Sequence, residues 1–146
     1  MSKPKKLRSR KAGLPPGSLI HIGEIKTSEP SFSIIDFDER GLQETQLPNA
    51  AALGKIVEQR GWLGHLATDP ATRSTTSVCL TVEGADEALI KTMAGALEKE
   101  GAAYDVAGYR DAPAGLRIWC GATVDTADIE ALGPWLDWAY ATAKAA

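Results

Sequence analysis

The chain has 146 residues, 44% hydrophobic and 24% charged, which fits one globular domain with a real core and argues against wholesale disorder. No run approaches the roughly 18 consecutive apolar residues of a membrane helix, and two cysteines and two histidines without a CxxC make neither a disulfide framework nor a zinc motif. No metal and a reduced, cytoplasmic location are therefore expected.

Charge is uneven along the chain. Lys3, Lys5, Lys6, Arg8, Arg10 and Lys11 fall in the first eleven residues with no acid among them, leaving a net charge of −9 on the other 135. A basic tail can touch nucleic acid or an anionic membrane. Here no aromatic residue interleaves the cations and the body is acidic. Residues 1–13 read as a solvated, disordered tail, and no nucleic-acid or membrane partner is expected.

Residues 14–47 read as a β-hairpin unit. Pro15-Pro16-Gly17 is turn chemistry, and Ser18 to Gly23 and Phe32 to Phe37 are short β-branched runs joined by a polar connector. His21 in the first run reads as a half-exposed sheet residue. A lone hairpin is marginal in water, so this unit must dock on something.

Residues 48–146 read as an α+β unit. Asn49 has the chemistry of an N-cap and opens a helix with Ala52, Leu53, Ile56 and Val57 at helical spacing, stopped by Gly61. After a polar loop from Ala67 to Thr75, Thr76 to Glu83 alternates, with Val78, Leu80 and Val82 on one face and Ser77, Cys79 and Thr81 on the other. Ala85 to Glu100 is predicted helical, with Leu89, Met93, Ala96 and Leu97 inward and acids in its first turn. Tyr104 to Tyr109 and Leu116 to Gly121 are predicted strands flanking a turn at Asp111 to Gly115. A last helix starts near Asp125 or Thr126 and runs to the end, with a kink expected near Pro134. The order α-β-α-β-β-α implies a three-stranded, mostly antiparallel sheet with helices on one face.

The strand faces point to a site. If Leu116, Ile118 and Cys120 face the helices, Arg117 and Trp119 stand on the outer face, near Tyr109. An arginine, a tryptophan and a tyrosine together read as a surface that something covers; the plainer reading lays Trp119 along the stem of Arg117. Arg110 and Arg117 flank one turn, and two guanidinium forks suit a ligand with two acidic groups. No catalytic set appears. Two distant histidines make no evident Ser-His-Asp set, no glycine pattern fits a phosphate loop, and Cys79 and Cys120 read as inert strand thiols. Lys55, Lys91, Lys99 and Lys144 all read as solvated helix positions.

Three runs carry a resemblance: Asp69 to Leu80 (DPATRSTTSVCL), Gly108 to Thr123 (GYRDAPAGLRIWCGAT) and Leu132 to Trp138 (LGPWLDW). Over about residues 55–146 the chain resembles the C-terminal small domain of phosphoserine aminotransferases. The resemblance implies a class-V enzyme dependent on pyridoxal phosphate (PLP). Such enzymes are homodimers that exchange an amino group between glutamate and 3-phosphohydroxypyruvate in serine biosynthesis. It implies that Tyr109 and Arg110 bind the phosphate or distal carboxylate, and that Arg117 binds the α-carboxylate. The family's large domain, with its Schiff-base lysine, does not precede this segment, so no cofactor is expected to bind this chain. Residues 11–47, through Ala12 to Glu24 (AGLPPGSLIHIGE) and Phe32 to Asp38 (FSIIDFD), resemble the start of CorA-type magnesium transporters. The transporter's membrane helices and Gly-Met-Asn motif are missing, so transport is not expected, and a seam is placed near Leu47-Pro48.

The expectation is therefore a truncated substrate-recognition domain, inactive alone, that retains Tyr109, Arg110 and Arg117 as substrate-binding residues. The alternative is a non-catalytic module for a small dianion or a protein partner. Either leaves the face with Tyr109, Arg117 and Trp119 to be covered, by the chain's own 14–47 hairpin or by a second copy in a homodimer, the second copy being the favoured cover.

Overall fold

The computed structural model describes residues 2–4 and 39–146. Its elements are helix α1 (Glu39–Glu58), strand β1 (Leu63–His65), a 3₁₀ turn (Pro70–Thr72), strand β2 (Ser77–Val82), helix α2 (Glu87–Lys99), strand β3 (Gly115–Trp119) and helix α3 (Thr126–Lys144). The three strands form one antiparallel sheet in the order β1-β2-β3. This is the α+β architecture expected. The predicted hairpin runs lie outside the described residues.

Alternation decides which sheet face is covered. Val78, Leu80 and Val82 of β2 are buried, as are Leu116 and Ile118 of β3, while Ser77, Cys79, Thr81 and Arg117 are half-buried. The buried set meets Leu53, Ile56 and Val57 of α1, Ile90, Met93 and Leu97 of α2, and Ile129 and Leu136 of α3 in one core. Helix α3 packs against both α1 and α2. Burying one such side chain contributes about 1.5–3 kcal/mol, so this shared core outweighs any single surface contact.

Local signals place the helix ends. The Asp86 carboxylate accepts from the Leu89 amide at 2.7 Å and caps α2. Gly101, at φ 64°, closes the other end by letting Ala102 N donate to Leu97 O at 2.9 Å. Helix α3 continues through Pro134. Arg60 grips Asp137 with two parallel hydrogen bonds of 2.8 and 2.7 Å and so pins the end of α1 to α3. Lys3 donates to Glu100 at 2.7 Å and stands 5.7 Å from the Trp138 ring centroid.

Three expectations are corrected. Helix α1 does not start at Asn49: it runs from Glu39 straight through Leu47 and Pro48, so Asn49 is an interior residue, fully buried. Tyr104 to Tyr109 is not a strand. Asp105 adopts φ 52°, which breaks the extended run and leaves Tyr104 67% exposed while Val106 is buried. Only a short pairing with β3 survives, a bridge between Ala107 and Leu116 with Arg117 N donating to Val106 O at 2.8 Å and Gly108 N to Gly115 O at 3.0 Å. The third strand is Leu63–His65, and the element order is α-β-β-α-β-α. Three residues centred on Gly64 carry no readable period. A Cβ at Gly64 would lie 2.7 Å from Thr81 Oγ1, so any larger residue there requires the Thr81 side chain to turn aside.

Candidate functional site

Antiparallel register builds the outer face. Ser77 stands opposite Trp119, Cys79 opposite Arg117 and Thr81 opposite Gly115. The rudimentary pairing of Val106–Gly108 with β3 then carries Tyr109 onto the same face. Tyr109 and Ser77 share a hydrogen bond of 3.2 Å between their hydroxyls. The Arg117 guanidinium carbon lies 4.9 Å from the Tyr109 ring centroid, within cation–π range. Trp119 is half exposed, and its Nε1 donates to Thr123 Oγ1 at 2.9 Å. The geometry therefore joins Trp119 to Thr123 and Arg117 to Tyr109.

Arg117 is the centre of the cluster. Its Nη2 donates to the Asp105 carboxylate, and its Nε is buried without a hydrogen-bond partner. Tyr109 and then Asp105 hold the guanidinium above its ordinary pKa. The Tyr109 phenol is pulled below its ordinary value, first by Ser77 and then by Arg117. Beside Arg117 opens a cleft of about 310 Å³, walled by Val106, Ile118, Ile129 and Leu132, with Asp105, Asp128 and Trp119 also lining it. Arg117 is the one cation on a largely apolar lining that also carries two carboxylates, so a small anion with an organic body would be held there through the Arg117 fork.

The sequence-predicted residues divide. Tyr109 and Arg117 come together. Arg110 is exposed on the turn, does not line this cleft, and makes no hydrogen bond or ion pair among the described residues. Sequence reasoning missed Ser77 and Asp105. The register of β2 on β3 is a signal that could have found Ser77, since it is the residue opposite Trp119; nothing local marks Asp105.

No protein-family model matches the chain. Two curated relatives do. The chain is similar to phosphoserine aminotransferases. Identity is 48% over 96 residues with that of Methanosarcina barkeri and 46% over 96 residues with that of Methanosarcina mazei, 66% of this chain in each case. The chain spans only 26% of the length of either relative. Neither relative shows the transporter-like resemblance of residues 11–47, of which 11–38 lie outside the described residues and 39–47 belong to α1. Among the described residues no helix is long and apolar enough to cross a membrane.

PLP, the cofactor such a likeness implies, does not fit the described residues. A lysine that holds it must be desolvated in a pocket. Lys55, Lys91, Lys99 and Lys144 are all exposed helix residues, three of them in last turns, and Lys3 is tied to Glu100.

Proposed function

We propose that residues 48–146 form the substrate-recognition domain of a phosphoserine-aminotransferase-like protein. The reaction is exchange of the amino group between phosphoserine and 2-oxoglutarate, giving 3-phosphohydroxypyruvate and glutamate. The observation that carries this reading is Arg117, held against the Tyr109 ring on the sheet face that the helices leave open. Arg117 binds the α-carboxylate as a fork, and Tyr109 with Arg110 receives the phosphate or distal carboxylate. Binding and orientation are the work of these residues; the chain alone is inactive. The same outer face, with Trp119 half exposed, is the proposed contact surface for a second copy.

The test is a titration of the full chain with L-phosphoserine, followed by NMR. Arg117→Ala is expected to weaken binding about tenfold or more, the scale of a lost charged hydrogen bond. An Arg117→Ala chain that binds L-phosphoserine as tightly as the parent overturns the reading.

The exposed lysines favour a second reading, a non-catalytic module that takes a small dianion or a protein partner at the same face. Borohydride treatment in the presence of PLP tests what the two readings share: cofactor fixed on one defined lysine would overturn the conclusion that this chain offers it no anchor.

A further inference from the structure

We propose that Asp105 is a built-in competitor for the anion at Arg117, so that a ligand binds there by displacing the chain's own carboxylate. This rests on the reading of Arg117 as an anion-binding residue.

Asp105 has an unusual backbone. Its φ of 52° lies in the left-handed region, which non-glycine residues rarely occupy and which aspartate and asparagine tolerate best. From there the carboxylate reaches Arg117 Nη2, and the Asp105 carbonyl lies 3.5 Å from the same nitrogen. Arg117 is the only ion-pair or hydrogen-bond partner of Asp105 among the described residues. The Asp105 side chain is 85% exposed and the Arg117 side chain 23% exposed. One partner is thus an easily hydrated carboxylate, and the other is a largely covered cation.

The pairing uses Arg117 badly. Asp105 takes one nitrogen, and Nε stays buried without a partner. A buried donor left unpaired is costly. A carboxylate or phosphate that reaches Nε as the side chains around it draw back accepts from Nε and Nη2 together, satisfies both and gains the bidentate geometry. Asp105 is therefore a partner that a well-shaped anion can replace. Until one arrives it compensates the charge of Arg117. A monodentate ion such as chloride recovers too little to displace it, so Asp105 sets a threshold that selects small bidentate anions, carboxylates or phosphate monoesters.

The test compares parent, Asp105→Asn, Asp105→Gly and Arg117→Ala full chains, titrated with inorganic phosphate at low salt. The readout is the shift of the backbone amide NMR signals of Val106, Ile118 and Trp119, which all four chains retain, with the Arg117 Nε–Hε signal followed as well in the chains that keep Arg117. Asparagine keeps the size and the tolerance for positive φ, and glycine accepts that φ without strain. Both Asp105 variants are expected to bind phosphate about fivefold more tightly, with the gain shrinking in salt as for an exposed pair. Unchanged or weaker binding in both, with binding still lost in Arg117→Ala, overturns the competitor and leaves the anion site standing. Phosphate binding that survives Arg117→Ala, or is undetectable in every chain, overturns both.

Discussion

The side-chain amide of Asn49 donates to the carbonyl of Val124 at 2.8 Å, across 75 positions of sequence. The same nitrogen lies 3.2 Å from Cys120 O and 3.3 Å from Gly121 O, and Asn49 Oδ1 accepts from Thr126 Oγ1 at 2.7 Å. One buried amide thus joins α1 to the whole connection between β3 and α3. That connection begins right after Trp119, so Asn49 also steadies the strand that carries Arg117.

Asn49→Ala is expected to lose about 2–4 kcal/mol, because it strands several buried polar groups at once. Asn49→Asp replaces the donor with a charged acceptor facing three carbonyls and is expected to lose more. Urea unfolding measures both. A loss under about 0.5 kcal/mol in Asn49→Ala, the level of an ordinary surface change, would remove the hub role.

Gly115 begins β3, and a Cβ there would run into the carbonyl oxygen of Leu80. Backbone cannot swing aside as a side chain can. Gly115→Ala is expected to pry open the Thr81–Gly115 end of the β2–β3 ladder and to cost more than about 3 kcal/mol. Amide exchange at Thr81 and Arg117 should quicken first. Unchanged protection at both would show that the strands have room to spare.

Cys120 is fully buried, and burial pushes its thiol up to about 11. At pH 8 only about one thiol in a thousand is then ionised. Cys79 is half-buried on the outer face. Iodoacetamide is expected to label Cys79 in the folded chain and to reach Cys120 only after unfolding. Equal labelling of both thiols at pH 8 without denaturant would contradict the burial of Cys120.

His65 ends β1, and its pKa is lowered, first by burial and then by the Arg73 charge. The folded state therefore binds fewer protons there than the unfolded state just below the ordinary value of about 6.5. Stability from this residue is fully present above pH 6.5 and is lost as pH falls through that value toward the lower folded pKa. His65→Gln is expected to flatten this part of the stability profile between pH 7.5 and 5. A parent and variant that lose stability in parallel would mean His65 carries no such linkage.

Sequence alone determined the elements whose signal is local. The alternation of Val78, Leu80 and Val82 made β2 and its buried face, and Leu116 with Ile118 did the same for β3. Asp86 and Glu87 at the start of α2 and the glycine after it marked both ends of that helix. Because side chains in a strand alternate by covalent geometry, the outward direction of Arg117 and Trp119 followed as well.

Tertiary structure decided the rest. Leu63–His65 is a strand because β2 offers it a free edge, and its own three residues have no period to read. Asn49 has cap chemistry, yet it lies inside α1 because its acceptors sit on a loop more than 70 residues away. The partner of Arg117 is Asp105 because a left-handed residue bends the chain back toward the sheet face. Periodicity and capping act between neighbours a few residues apart. Which buried donor meets which distant acceptor depends on how the helices and sheet close around one core, and that closure is not written in any short window of the chain.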